Sequence, residues 1–373
     1  MFKFFLYCSV FICFQQALAG DFTQQLKYFG NNSSTAVNTG QSFSIFSYRL
    51  NASETSNDFS AVANYELNTI NNSGGIYADI DKHRLFNLSD TLDSSNDRLS
   101  FHRLDRFFLT YKTSNTISRI GRQAVTWGNG FVFNNIDIFN PFSPLSLDKE
   151  YKTGDDMIYF QALDNRGDDW QLIYLPRRND SGDISSHESS TAVKYHSIIS
   201  DTEIDIMLAY HYDDNVFGLG ISHAVADSLW RLDLTHTQTR DNANITTLVT
   251  NIDYSWVFLG RNIYGFLELY HNGFGNKDTI SIDNINLNSR IQRGEIFMLF
   301  RNYLAGGLTI ELHPLLSLAP TLIQDIDNNT TSLITSLIYN LKQNLVLSTA
   351  LSHYYTTEQE DSNSLNLLLS YYF

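Results

Sequence analysis

The chain has 373 residues, of which 25 are basic and 40 acidic, a formal net charge of −15. Such a balance lacks the clustered Lys and Arg that nucleic-acid phosphates require, so a nucleic-acid partner is excluded. Charged residues are only 17% of the total, below the about one quarter usual in soluble domains, yet mean hydropathy is −0.21 and aromatics are plentiful, with 21 Tyr and 26 Phe.

The first element is a leader. Lys3 precedes an apolar run over residues 4–14, and the small-residue site Ala17-Leu18-Ala19 follows. This pattern predicts a cleaved secretory signal over 1–19. The run is shorter than the about 20 apolar residues a membrane-crossing helix needs. Both cysteines, Cys8 and Cys13, fall inside it. The mature chain then has no thiol, which excludes disulfides, zinc–thiolate sites and a cysteine nucleophile. Neither cysteine directly follows Ala19, which argues against a lipid anchor. Loss of Lys3 takes the net charge to −16.

Downstream the signal is period-two alternation, which puts successive side chains on opposite faces of a strand. A strand is predicted over 117–125. Alternation then gives way over 126–155 to Gly128, Gly130, Asn134, Asn135 and Asn140-Pro141, and resumes near Met157. Ile204, Ile206, Leu208 and Tyr210 oppose Glu203, Asp205 and His211. Trp230, Leu232 and Leu234 oppose Arg231, Asp233 and Thr235. Leu248, Ile252, Tyr254, Trp256 and Phe258 oppose Val249, Asn251, Asp253 and Ser255. Leu304, Leu308, Ile310 and Leu312 oppose Thr309, Glu311 and His313. The last strand carries Leu365, Leu367, Leu369, Tyr371 and Phe373 on one face. Turn residues punctuate the runs at Asp213-Asp214-Asn215, Asp241-Asn242 and Asp327-Asn328-Asn329. The expected fold is all-β: a transmembrane antiparallel barrel of roughly 16–18 strands, each about 9–12 residues long. Residues 20–373 form one domain, because unpaired backbone edges are not tolerated in lipid.

The runs G-R-Q-A-V-T-W-G-N-G (121–130), F-N-P-F-S-P (139–144) and E-Y-K-T-G-D-D (150–156) resemble the signature of a poorly characterised, porin-like family of proteobacterial outer-membrane barrels. The likeness continues through Pro176-Arg177-Arg178 to the C-terminal Phe. It implies an integral outer-membrane protein of a Gram-negative cell. The terminal strand, with Phe373, Tyr371 and Leu369, then resembles the signal read by the barrel-assembly machinery. By analogy with better-known porins, residues 126–155 are expected to fold into the lumen and narrow it.

The stretch from Trp127 to Asp156 holds Asp137, Asp148, Glu150, Lys152, Asp155 and Asp156, and charged rings at a constriction set selectivity. Arg119 and Arg122 lie on opposite parities of the strand before it, so one of them faces the lumen unless a bulge intervenes. Asp205, Arg231, Asp233, Asp253 and Glu268 occupy the polar parity of their strands and are pore-lining candidates. The bland alternative is that these charges cap loops or pair to fix the fold. Five acids against Lys149 and Lys152 in the segment predict a modest cation preference.

No G-x-S-x-G, H-E-x-x-H, P-loop or dinucleotide motif is present, and the histidines show no metal-ligand spacing. Ser222-His223 and Ser352-His353 are adjacent strand residues pointing to opposite faces, so neither is a nucleophile–base couple, and a cross-strand couple stays open. No catalytic residue, metal or cofactor is expected. The expected partners are outer-membrane lipids, the assembly machinery and a small solute, with association into a homo-oligomer allowed. The expected function is passive or facilitated passage of a small polar or amphipathic solute. The rivals are a conduit for envelope export and a plugged structural or binding barrel.

Overall fold

The computed structural model describes residues 20–35, 40–72, 81–95, 97–277, 284–356 and 361–373. The predicted leader, 1–19, lies outside the described residues. The strands in chain order are β1 (Asp21–Thr35), β2 (Gln41–Ser56), β3 (Phe59–Asn71), the short β4 (Ser89–Ser94), β5 (Arg98–Lys112) and β6 (Thr116–Gln123). After a long connection come β7 (Asp155–Leu163), β8 (Asp169–Leu175), β9 (Ser190–Ile199), β10 (Thr202–His211), β11 (Asp214–Val225), β12 (Ser228–Gln238), β13 (Asn244–Phe258) and β14 (Arg261–His271). A helix, α1 (Ile285–Gln292), precedes β15 (Asn302–His313), β16 (Leu316–Asp325), β17 (Thr331–Lys342), β18 (Leu345–Tyr355) and β19 (Ser362–Tyr372).

All the pairings between these strands are antiparallel, and β1 pairs with both β2 and β19, so the sheet closes on itself. Phe373 completes the seam: Gln24 N donates to its carbonyl at 2.8 Å, and its own N–H donates to Gln24 O at 3.0 Å. Eighteen strands make the ring, since β4 pairs only with β5. The alternation sorts the faces as expected, and it is the apolar parity that is exposed. Leu208 is 56% accessible and Leu365 49%, whereas Met207 and Asp233 on the inner parity are 1%. A soluble sheet would hide those leucines. A ring that turns them outward is a transmembrane barrel. The turn residues take the left-handed conformations their types favour, with φ of 67° at Asp213, 64° at Asn242 and 53° at Asn329.

The wall is irregular where β6 stops. Gly121 has φ of 123°, and a Cβ there would run into the Phe107 carbonyl oxygen, so only glycine makes this bend. The chain leaves the wall two residues earlier than alternation predicted and rejoins it at Asp155, two residues before Met157. On the flank of β5 that β6 leaves bare, β4 pairs instead, and residues 81–88 cover the gap. Leu104 N donates to Leu88 O at 2.9 Å, and Arg178 N to His83 O at 2.9 Å.

Candidate constriction and lumen

The 124–154 connection folds into the barrel and reaches across it. Its first half lies against β8 and β12–β14. Trp127 Nε1 donates to Gln171 Oε1 at 2.8 Å, and Asn129 gives its backbone N–H (2.5 Å) and its Nδ2 (2.9 Å) to the Asp233 carboxylate. Glu268 accepts three successive backbone N–H groups, from Phe131 at 2.7 Å, Val132 at 2.9 Å and Phe133 at 2.8 Å. Asn251 Nδ2 adds a fourth bond at 3.0 Å. Backbone donors that fold into an enclosed space need acceptors, and two wall carboxylates supply them. Gly130 permits the tight turn, since a Cβ there would occupy the space of Phe133 O.

Aromatic packing completes this anchorage. Phe133 stacks on Tyr270 with centroids 4.5 Å apart, and Trp127 meets Phe139 edge-on at 5.6 Å. Trp127 and Phe139 join Ile136, Met157, Ile173, Leu175 and Met207 in one apolar core inside the ring, and Phe133 and Tyr270 join Val249, Tyr303, Ala305 and Ile323 in a second. The second half of the segment crosses to β1, β2 and β19. Lys27 Nζ lies 2.6 Å from Asp148 and 2.8 Å from Glu150, which also accepts from Gln25 at 2.7 Å. Tyr151 receives the Arg49 guanidinium over its ring at 4.0 Å.

The other predicted charges all have partners as well. Lys152 is bound to Asp137 at 2.5 Å and to Val125 O at 2.6 Å. Burial pushes the Asp137 carboxyl up to about 6 even though Lys152 opposes this, and burial likewise lowers the Lys152 ammonium. Asp155 pairs with Arg177 at 2.9 Å. Arg122 is sealed in the wall beneath residues 81–88. It binds Asp156 through Nε at 2.9 Å and Asp81 at 3.0 Å, and donates to Phe86 O at 2.6 Å. Burial raises the Asp81 carboxyl, but Arg122 and Arg84 outweigh it and hold the group below its ordinary value. Asp205 joins Lys194 and His196, and Arg231 joins Asp253, at 3.3 Å, while lying over Phe131. Arg119 sits over Phe108 and Tyr159 at 5.7 and 5.6 Å.

Each of the five acids in the segment therefore faces a cation, so the negative excess expected from composition is compensated. Lys149 is the exception. It is exposed and makes no ion pair or hydrogen bond among the described residues. Enclosure by the barrel lowers its ammonium below the ordinary value, although Glu268 acts in the other direction.

Two groups of residues were not singled out from the sequence. One is the row Lys27, Arg49, Arg103 and Arg106 with Glu66 and Asp105, on β1–β5; Arg103 binds Glu66 at 2.7 Å and Arg49 binds Asp105 at 3.1 Å. Inward parity was readable there, but alternation in β2 and β3 is blurred by Ser, Asn and Ala. The other lies in the 272–301 connection, where Glu295 meets His211 at 3.0 Å and Arg293 at 2.7 Å, and Arg290 binds Asp214. Burial favours the neutral Glu295 carboxyl, but these cations hold it down at about 2. Nothing local in the sequence announces the His211–Glu295 and Arg290–Asp214 pairs, which join residues 84 and 76 apart.

Together the two connections cover one arc of the lumen. Inner-face residues from β7 to β15 are buried, among them Ile173, Ala192, Thr235, Val249 and Ala305. From β16 to β19 the inner face is partly open, as at Thr321, Ser336, Ser352 and Asn366.

No protein-family profile and no curated protein matches the chain. Solved structures do. OccK5 (OpdH) of Pseudomonas aeruginosa is 10% identical, with 95% of this chain and 98% of that one aligned at a TM-score of 0.60. OccAB4 of Acinetobacter baumannii is 9% identical, with 96% and 99% aligned at 0.59. OpdQ of Pseudomonas aeruginosa is 9% identical, with 95% and 99% aligned at 0.57. At this identity the likeness is one of architecture, and it runs nearly end to end.

Proposed function

We propose that this protein is an outer-membrane channel through which small polar or amphipathic solutes cross, passively or by facilitated diffusion. The observation that carries the reading is the clamped segment. Asp233 and Glu268 fix it to one arc of the wall, and the adjoining arc of β16–β19 stays partly accessible to water. A merely structural barrel of this size has no need for such asymmetry. The apolar outer face and the architecture shared with the Occ and Opd barrels support a membrane-spanning ring. The 121–156 motif supports a place in the porin-like family it resembles. No reaction is proposed: Ser190 Oγ lies 2.8 Å from His211 Nδ1, whose Nε2 meets Glu295 at 3.0 Å, but Ser190 and His211 are buried away from the lumen water, and no metal cluster is found among the described residues.

A plugged barrel is the second reading, favoured by the buried arc. Planar-bilayer recording separates the two. A channel gives discrete, steady conductance steps in potassium chloride; silence at all voltages supports the plug. Assembly is tested at the closing seam. Deleting Phe373 removes both of its backbone bonds to Gln24, and loss of the heat-modifiable folded band in outer-membrane fractions is expected.

A further inference from the structure

Resting on the channel reading, we propose that the solute is a neutral, polyhydroxylated molecule, of the saccharide or polyol class, guided along the inner face of β16–β19. The lining of that arc is distinctive. In these four strands the charged residues are Asp325 and Lys342, one at the end of β16 and one at the end of β17. Between those ends the inward positions form a chequered surface. One cross-strand row reads Thr321, Ile334, Ser352, Ser364, and the next reads Ala319, Ser336, Ala350, Asn366.

The hydroxyls of Thr321, Ser336 and Ser352 make no hydrogen bond to protein among the described residues. They are therefore free to bond water or a passing solute. A hydroxyl both donates and accepts, so it can exchange with a solute hydroxyl in either sense. The aliphatic squares between them suit the C–H faces of the same molecule. A charged solute finds no fixed counter-charge here to replace its lost hydration, and the charges across the lumen are already paired. Lys149 is the one free charge on the facing segment, and it is the element that could instead favour an anion.

Three probes of similar size test this in proteoliposomes of the full-length protein: glucose, gluconate and glucosamine. Osmotic swelling is expected to be severalfold faster with glucose than with either charged relative. In planar bilayers, maltotriose is expected to block potassium chloride current in a concentration-dependent way. The triple variant Thr321→Val, Ser336→Ala, Ser352→Ala should weaken that block severalfold, read as the blocked fraction of each protein's own current. Faster gluconate entry that Lys149→Gln abolishes would overturn the proposal in favour of an anion path. An equal block in the triple variant would also overturn it. Absence of any conductance refutes the channel reading itself, and so is distinguishable from both.

Discussion

The two arcs of the lumen are built from the same kind of strand yet do opposite things. From β7 to β15 the inward residues are mostly buried, and several of them, Asp233 and Glu268 above all, are held by partners on an inserted connection. From β16 to β19 the inward residues between the strand ends are small hydroxyl, amide or aliphatic side chains, partly open at Thr321, Ser336, Ser352 and Asn366, while Ile323 is packed with Phe133. The contrast shows that inward charge in a barrel is no simple marker of a pore lining. A carboxylate such as Glu268 holds backbone, and the surface that water reaches is the one with little charge.

Predictions that bear on this contrast can be ranked by expected size. The largest concerns Arg122, at the foot of the covered arc. Arg122→Ala leaves Asp81 and Asp156 buried without their shared cation, which should cost about 3–5 kcal/mol. A large fall in the temperature at which the folded band disappears on gels is expected, whereas Ser336→Ala in the open arc should barely move it.

Next comes Glu268→Ala. Three enclosed backbone N–H groups lose their acceptor, at about 1–3 kcal/mol each unless water replaces it. The ring should survive, because its ladder is untouched, but the segment should loosen. Larger and noisier single-channel conductance is the expected reading, and conductance identical to wild type would show that Glu268 does not hold the segment.

Asp137 gives a smaller effect with a defined sign. Its folded pKa, about 6, lies above the ordinary carboxyl value because of burial. The folded state therefore binds the proton more tightly than the unfolded state, and stability falls as pH rises from the ordinary carboxyl range to about 6. Relative to Asp137→Asn, wild type should gain stability as pH drops through that window. Urea denaturation of both proteins in detergent at several pH values measures it, and parallel curves would remove Asp137 as the source.

The smallest effect is on selectivity. With the segment's acids paired, Lys149→Gln should shift the reversal potential in a salt gradient only slightly, toward cations, and less so as salt rises. A strong cation preference in wild type would mean that the pairs are open in the working channel.

Much of this architecture was legible in the sequence. Leu365, Leu367 and Tyr371 announced the closing strand, and Gly128, Gly130 and Asn140-Pro141 marked where the wall ends. Strand parity also identified Asp233 and Glu268 as inward. Their role was not legible, because a side chain that lines water and one that grips a loop share the same parity. The Arg122–Asp81 latch joins residues 41 apart through a segment with no periodicity, and Arg290–Asp214 joins residues 76 apart. Such pairs follow only from the closed ring.

Residues 20–373 contain no cysteine, which permits the most direct test of the two-arc account. Ser336→Cys places a thiol on the open arc, and Thr235→Cys places one at a position 4% accessible beneath the segment. A membrane-impermeant methanethiosulfonate reagent is then added during planar-bilayer recording. The account predicts stepwise loss of current with Ser336→Cys and an unchanged trace with Thr235→Cys. Equal modification of both, or reaction at Thr235→Cys alone, would contradict it.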